Sequence, residues 1–135
     1  MKIATNIAGG LLGLLFIAFS LMVLLNLVHA PPMPDGTPAA MFMGALGPTG
    51  YLTFVKVCEL VGGILVAIPR TRNFGLLILG PIVVNILCFH VFIMKGQGLM
   101  GPPILVALLA AFLLWSARGA FLGLGRSGND SAPNG

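Results

Sequence analysis

Charged side chains are scarce in this sequence. Only 7% of its 135 residues are Asp, Glu, Lys or Arg, against roughly 25% in an average soluble domain, and 58% are hydrophobic. Seven basic and three acidic side chains cannot cover the surface of a folded chain of this length. The shortage of charge therefore excludes a water-soluble globular domain and predicts a protein whose solvent is the lipid bilayer.

Cysteine is almost as rare, and the two residues present, Cys58 and Cys88, each lie inside an apolar run. They form no C-x-x-C pair and no cysteine-rich framework, so neither a disulfide scaffold nor a metal site is expected, and both thiols are interpreted as small packing residues. The sequence also lacks a flavin, nicotinamide or iron–sulfur motif. We therefore expect no cofactor carried by the chain itself.

Positive charge exceeds negative charge, with a formal net charge of +4, yet the basic residues stand singly beside apolar runs. A nucleic-acid surface would need them clustered, so no nucleic-acid partner is expected. Single Lys and Arg residues at the ends of apolar runs are typical of membrane topology signals.

Long apolar runs make up most of the chain. A helix of about 20 residues crosses the roughly 30 Å of bilayer hydrocarbon. Four runs approach this length, at residues 7–28, 51–68, 74–94 and 104–121, and Pro, Gly or charge separates them. The first is about twice the length of a signal-peptide apolar region, so we interpret it as a retained helix. The fold predicted is an all-α membrane protein, a four-transmembrane-helix bundle in one domain, residues 1–125, followed by a polar C-terminal tail, residues 126–135.

The basic residues also predict the orientation of the bundle. If the amino terminus is inside, the inner segments hold five basic residues and the outer loops one: Lys2, Arg70, Arg72, Arg118 and Arg126 against Lys95. This bias predicts that both termini are cytoplasmic. In the first outer loop, residues 39–46 are apolar but too short to cross, and they predict a short helical segment on the outer surface.

Small residues four apart predict where helices approach closely. The pairs are Gly9 with Gly13, Gly63 with Ala67, and Ala107 with Ala111.

Ionisable residues within the apolar runs are the best indication of function, because each costs about 2.5 to 3.5 kcal/mol to insert at hydrocarbon depth. Lys56 and Glu59 lie three apart in the second run, on one helix face, where they can form an ion pair. They lie about 8 Å and 12 Å below the outer boundary at 1.5 Å per residue.

Other polar residues fall at matching depths. Counted from the outer end of the third run, His90 lies about 6 Å and Asn85 about 13 Å deep, and Asn26 lies near the outer end of the first run. The candidate site is an outer-leaflet polar pocket of Asn26, Lys56, Glu59, Asn85 and His90. We expect no comparable buried polar group in the inner half. Asn85 and His90 lie about 140° apart on an α-helix, so we expect only one of them to face the second span.

The same residues allow other interpretations. Lys56 and Glu59 can be a structural pair that fixes helix register, with Asn85 in an interhelical hydrogen bond. A bis-histidine haem through His29 and His90 is disfavoured, because His29 adjoins Ala30 and Pro31, where helix geometry is lost.

The second and third runs resemble a known family. Residues 54–65 follow the pattern F-x-K-x-x-E-L-x-G-G-x-L, a short basic turn Arg70-Thr71-Arg72 follows, and residues 80–90 end in a Phe-His pair. These features resemble the DoxX and DoxX-like membrane proteins. The resemblance implies a four-helix bundle of the bacterial cytoplasmic membrane, whose namesake is a subunit of a thiosulfate:quinone oxidoreductase. It also implies quinone as a possible ligand and other membrane subunits of a redox complex as possible partners.

Two functions follow from these observations. In the first, the polar pocket binds a quinone head group in a redox-associated membrane subunit, with Lys56 and His90 as hydrogen-bond donors to carbonyl oxygens. In the second, the chain is a non-catalytic structural subunit that holds a larger membrane complex together.

Overall fold

The computed structural model describes residues 2–29 and 32–126, so the predicted polar tail beyond Arg126 lies outside the described residues. Within those ranges the secondary structure is entirely helical. The elements are α1 (Lys2–Leu24), α2 (Pro38–Leu46), α3 (Tyr51–Ala67), α4 (Arg72–Cys88), a π-helical turn (Phe89–Ile93), α5 (Pro102–Ser116) and α6 (Arg118–Arg126).

Two of these helical stretches are long and apolar enough to cross a membrane, Lys2–Leu24 and Arg72–Ile93. The number of candidate spans in the described chain rises to four if each of two bent pairs counts as one span. The pairs are α2 with α3, bent by 80°, and α5 with α6, bent by 63°. The chain is therefore a helical protein with two to four candidate membrane spans.

The first helix ends four residues before the predicted boundary, at Leu24. Asn26 adopts a left-handed conformation with φ 53°. The N–H of Leu27 bonds to Met22 O at 2.8 Å and the N–H of Asn26 bonds to Val23 O at 3.1 Å. This is the Schellman arrangement that closes a helix, and Asn is one of the few residues besides Gly that tolerates it.

The fourth long helix also ends early, at Ser116 rather than within the predicted run to residue 121. Arg118 Nη1 donates to Trp115 O at 2.9 Å, and its guanidinium lies 4.3 Å from the centre of the Trp115 ring. This bond occupies a carbonyl that would accept an N–H in a continuous helix. The hydroxyl of Ser116 also bonds back to Phe112 O, a contact that bends helices.

The predicted surface segment forms a helix, α2, with nearly the predicted bounds. Thr37 precedes it and accepts a hydrogen bond from the N–H of Ala40 at 3.3 Å, and Pro38 occupies the first turn. A side-chain cap followed by proline is a standard helix start. Phe42 of α2 packs on Phe89 of the π-helical turn, with ring centres 5.3 Å apart, so α2 contacts the bundle at this turn.

The four long helices form a bundle in which α1 and α4 each pack against both α3 and α5. Glycines make the closest approaches. A Cβ at Gly13 would lie 2.6 Å from Gly63 O and 2.8 Å from the Cβ of Ala67, so α1 and α3 touch through their backbones. The predicted small-residue pairs at Gly13 and at Gly63 with Ala67 therefore meet each other.

The core of the bundle is apolar, and so are its outward faces. The buried hydrophobic residues on the long helices are Ala8, Leu12, Phe16, Val66, Leu76, Leu79, Val83, Val106, Ala110 and Leu113. Leu14, Ile64, Leu77 and Leu108 point outward on the four helices and are between 44% and 63% exposed. Helices that are hydrophobic on both faces are typical of a bundle surrounded by lipid.

Candidate functional site

The ion pair predicted on α3 is present. Lys56 Nζ donates to Glu59 Oε2 at 3.0 Å, with the two residues on one face of α3, three positions apart. Glu59 is 3% exposed, and the Lys56 side chain is 19% exposed. The pair is thus a nearly buried, overall neutral unit in which the lysine keeps two ammonium protons for other acceptors.

His90 lies in the π-helical turn that continues α4. There the N–H of Met94 bonds to Phe89 O at 2.9 Å, five residues back. The Nδ1 of His90 lies 2.8 Å from Ile86 O. Because a carbonyl oxygen can only accept, Nδ1 carries the hydrogen in this contact. The lone pair of a neutral His90 is therefore on Nε2, so the ring offers an acceptor there and not the donor expected from the sequence. Single π-turns inside α-helices are common at functional sites.

Two cavities lie on either side of these residues. The central cavity, of about 330 Å³, is lined by residues of all four long helices, and the lateral cleft, of about 520 Å³, lies between α3 and α4 beneath α2. The central cavity is lined by Phe16, Phe19, Met22, Val23, Val28, Lys56, Glu59, Ile86, His90, Pro102, Pro103 and Val106. The lateral cleft is also lined mainly by apolar residues, from Val23, α2, α3, α4 and Phe89.

The polar residues of the site separate the two cavities. Lys56, Glu59 and His90 line both of them, together with Val23 and Ile86. An ammonium group and an imidazole ring thus border two spaces that are lined mainly by apolar residues. Such a site, apolar with a few convergent polar groups, is typical of pockets for small organic ligands.

Asn85 lines the lateral cleft with Lys56, Glu59 and His90, although its side chain is exposed. Asn85 and His90 therefore border one cleft, although their separation of about 140° on an α-helix predicts that they face different neighbours. The helix leaves α-geometry at Phe89, and the His90 ring turns back to bond to Ile86 O, one turn earlier.

The structure does not bring Asn26 into this group. Asn26 is exposed, caps α1 and lines neither cavity. His29 is also exposed and lines neither cavity. Four of the five predicted site residues therefore lie together, and the fifth has a local role in ending a helix. Cys58, half-buried, also lines the lateral cleft, whereas the exposed Cys88 lines neither cavity.

The opposite end of the bundle, which is the inner end in the predicted orientation, also holds a buried polar group, so the expectation of an inner half without one is wrong. Arg72, the first residue of α4, is only 8% exposed. Its Nε donates to Val66 O at 3.1 Å, and its Nη1 donates to Asn6 Oδ1 at 3.2 Å. Val66 O is one of the last carbonyls of α3, so the arginine stabilises the negative end of that helix while joining α1, α3 and α4.

Space for the arginine comes from Gly9. A Cβ at this position would lie 2.5 Å from Arg72 Nε and 2.8 Å from Cζ. The sequence contains one hint of this arrangement, a polar Asn6 a single turn from Gly9 at the start of an apolar run. Basic residues next to apolar runs usually remain at the membrane surface, so the sequence predicted a surface position for Arg72 and not a buried one.

No family model matches the chain, and no solved structure matches it. An uncharacterized protein of Bacillus subtilis (strain 168), YwoB, is 31% identical over 80 residues, which cover 56% of this chain and 48% of that protein. The chain therefore spans about half the length of the curated relative that it matches. Because that relative is itself uncharacterized, the similarity assigns no activity.

Proposed function

We propose that this chain is a DoxX-like subunit of a redox-associated complex in the bacterial cytoplasmic membrane, and that it binds a quinone head group between Lys56 and His90. The observation that carries the proposal is the pairing of a cationic donor with an imidazole acceptor on the wall shared by two apolar cavities. The motif on α3 that resembles the DoxX proteins contains both members of the ion pair.

The chemistry of a quinone fits these groups. A quinone has two carbonyl oxygens that accept hydrogen bonds, and Lys56 has ammonium protons beyond the one given to Glu59. The reduced form has hydroxyl groups, which can donate to the free Nε2 of neutral His90. Both redox forms thus find a partner, and Glu59 orients the lysine and can accept a proton.

We further propose four crossings with both termini cytoplasmic. At 1.5 Å per residue, α3 is about 25 Å and α5 about 22 Å long, each somewhat shorter than the hydrocarbon core. Both pack alongside α1 and α4, and α1 and the stretch formed by α4 with its π-helical turn are longer. Each of α3 and α5 also has a further helix at a sharp bend, which supports a short span with an adjoining segment near the membrane surface.

Glu59→Gln tests the quinone site. This change removes one charge while preserving shape, and it leaves Lys56 without its counter-charge inside the bundle. We expect the affinity of the purified protein for decylubiquinone to fall at least about tenfold, a loss of about 1.4 kcal/mol, in a calorimetric titration. Asp35→Asn makes the same acid-to-amide change at an exposed position and should leave the affinity unchanged. Equal affinities for wild type and Glu59→Gln would contradict the proposal.

The alternative is a structural subunit without a ligand. The closed ion pair and the backbone contacts at Gly13 and Gly63 favour it, since both stabilise a rigid bundle. In that case, the double change Lys56→Met with Glu59→Leu should preserve assembly of the complex and its activity. A normally assembled complex that loses its activity would argue against the structural role.

A further inference from the structure

We infer that the ligand is an uncharged amphiphile that enters from the lipid through the lateral cleft, with its head group at Lys56 and His90 and its hydrocarbon tail between α3 and α4. The inference rests on the proposed function and deepens it, because it assigns the ligand a tail, a route and a charge. It follows from the shape of the cleft, from its opening and from the neutrality of the ion pair.

The lateral cleft opens on the side of the bundle, between α3 and α4. Phe54 lines it and is 65% exposed, and Pro81 lines it from α4 and is also exposed. In a bundle that crosses the membrane, this face meets lipid rather than water. A molecule dissolved in the bilayer can therefore reach Lys56 and His90 by moving sideways between the two helices.

Helix α2 covers the end of the cleft. Phe42, Met43 and Leu46 line the cleft from α2, and the Phe42 ring contacts Phe89. These side chains are apolar, so a polar ligand arriving from water would find no hydrogen-bond partner among them. The cover favours a ligand that comes from the bilayer.

The cleft is also elongated. On α3 its lining runs from Tyr51 to Glu59, about 12 Å, and on α4 and the π-helical turn from Ile78 to His90, about 18 Å. The central cavity is smaller and is bounded by the buried Phe16 and Val106. An extended hydrocarbon chain therefore fits the lateral cleft.

The ion pair selects against a charged head group. Lys56 is neutralised by Glu59 at 3.0 Å, so a phosphate or carboxylate would meet a carboxylate next to the only lysine of the site. A neutral group with carbonyl or hydroxyl oxygens can bond to Lys56 and His90 without separating the pair. Anionic phospholipids are therefore not the ligand that this site favours.

The test uses two probes and a matched pair of variants. The probes are decylubiquinone and the same benzoquinone without the decyl chain. Cys58→Trp places an indole in the lateral cleft, and Cys88→Trp places one at an exposed position that lines neither cavity. We expect Cys58→Trp to weaken decylubiquinone binding at least about tenfold, the effect of withdrawing roughly two methylene groups from apolar contact. Binding of the tail-free quinone should change less than about twofold, and Cys88→Trp should leave both affinities unchanged.

Other outcomes would overturn the inference in recognisable ways. If Cys58→Trp weakens both probes equally, or if wild type binds both probes with equal affinity, the cleft does not hold a tail, although a quinone site remains. If wild type binds neither probe, the proposed function itself fails.

A measurement on the unaltered protein covers the case in which Cys58→Trp does not fold. Decylubiquinone carrying a photoreactive azide at the end of its chain should label peptides of α3 and α4. Labelling confined to α5, which lines only the central cavity, would overturn the inference.

Discussion

Arg72 is buried because one glycine leaves room for it, and this dependence is open to a direct test. A methyl group at Gly9 would collide with Nε and Cζ of Arg72, so Gly9→Ala should displace the guanidinium from Val66 O and Asn6. Hydrogen bonds from charged donors are worth about 1.5 to 3 kcal/mol each. We expect Gly9→Ala to lower the free energy of unfolding by roughly 1 to 3 kcal/mol relative to Gly10→Ala, measured by denaturation in mixed micelles.

Gly10→Ala is the matched control, because a Cβ at Gly10 meets nothing within 4 Å on the same helix. It should be neutral or slightly stabilising, as alanine is the better helix former. If the two variants unfold alike, the arginine contributes nothing through these bonds.

At the scale of residues, a pair close in sequence was predictable and a distant one was not. Lys56 and Glu59 are three apart on a helix, so their contact follows from helical spacing alone. Arg72 and Asn6 are 66 positions apart, and their contact depends on how α1, α3 and α4 pack. Nothing in the local sequence distinguishes an arginine that reaches the membrane surface from one that inserts beside a glycine.

The packing of α4 on α3 depends on a contact that cannot yield by side-chain movement. A Cβ at Gly75 would lie 2.5 Å from Val66 N and 2.8 Å from Gly62 O, both backbone atoms. Gly75→Ala therefore has to separate the two helices, and overpacking of this kind costs about 1 to 3 kcal/mol. Thermal unfolding in detergent should show a clear loss of Tm for Gly75→Ala. Gly80→Ala on the same helix, where a Cβ meets nothing within 4 Å, should show none, and equal Tm values would contradict this close approach.

Element positions were predictable from apolar runs, but the ends and irregularities of the helices were not. Gly, Pro and charge indicated where each run stops, and α3 begins at Tyr51 as predicted. The break after Ser116 and the π-turn at Phe89 arise from side chains that bond to carbonyls, Arg118 in one case and His90 in the other. These bonds compete with the backbone hydrogen bonds of the regular helix. The hydrophobicity of the sequence does not indicate where such a bond ends or distorts a helix.

For the whole molecule, the distribution of charge argues for a single orientation. Five basic residues lie at or beyond the helix ends at the Arg72 end of the bundle: Lys2, Arg70, Arg72, Arg118 and Arg126. At the His90 end, Lys95 is the one described basic residue outside the helices, and Lys56 is paired with Glu59 within α3. Basic segments remain cytoplasmic, so the His90 end with the ion pair should face outward.

This orientation predicts on which side of the membrane two exposed residues lie: Asp35, before α2, outside, and Asn73, at the start of α4, inside. In a background of Cys58→Ser with Cys88→Ser, a membrane-impermeant maleimide should label Asp35→Cys in intact spheroplasts, and Asn73→Cys only after lysis. If only α1 and α4 crossed the membrane, the segment between them would stay on one side and both positions would label alike. Labelling of Asn73→Cys alone in intact spheroplasts would reverse the orientation, and the ion pair would then face the cytoplasm. The labelling pattern therefore decides from which leaflet a lipid-soluble ligand reaches Lys56 and His90.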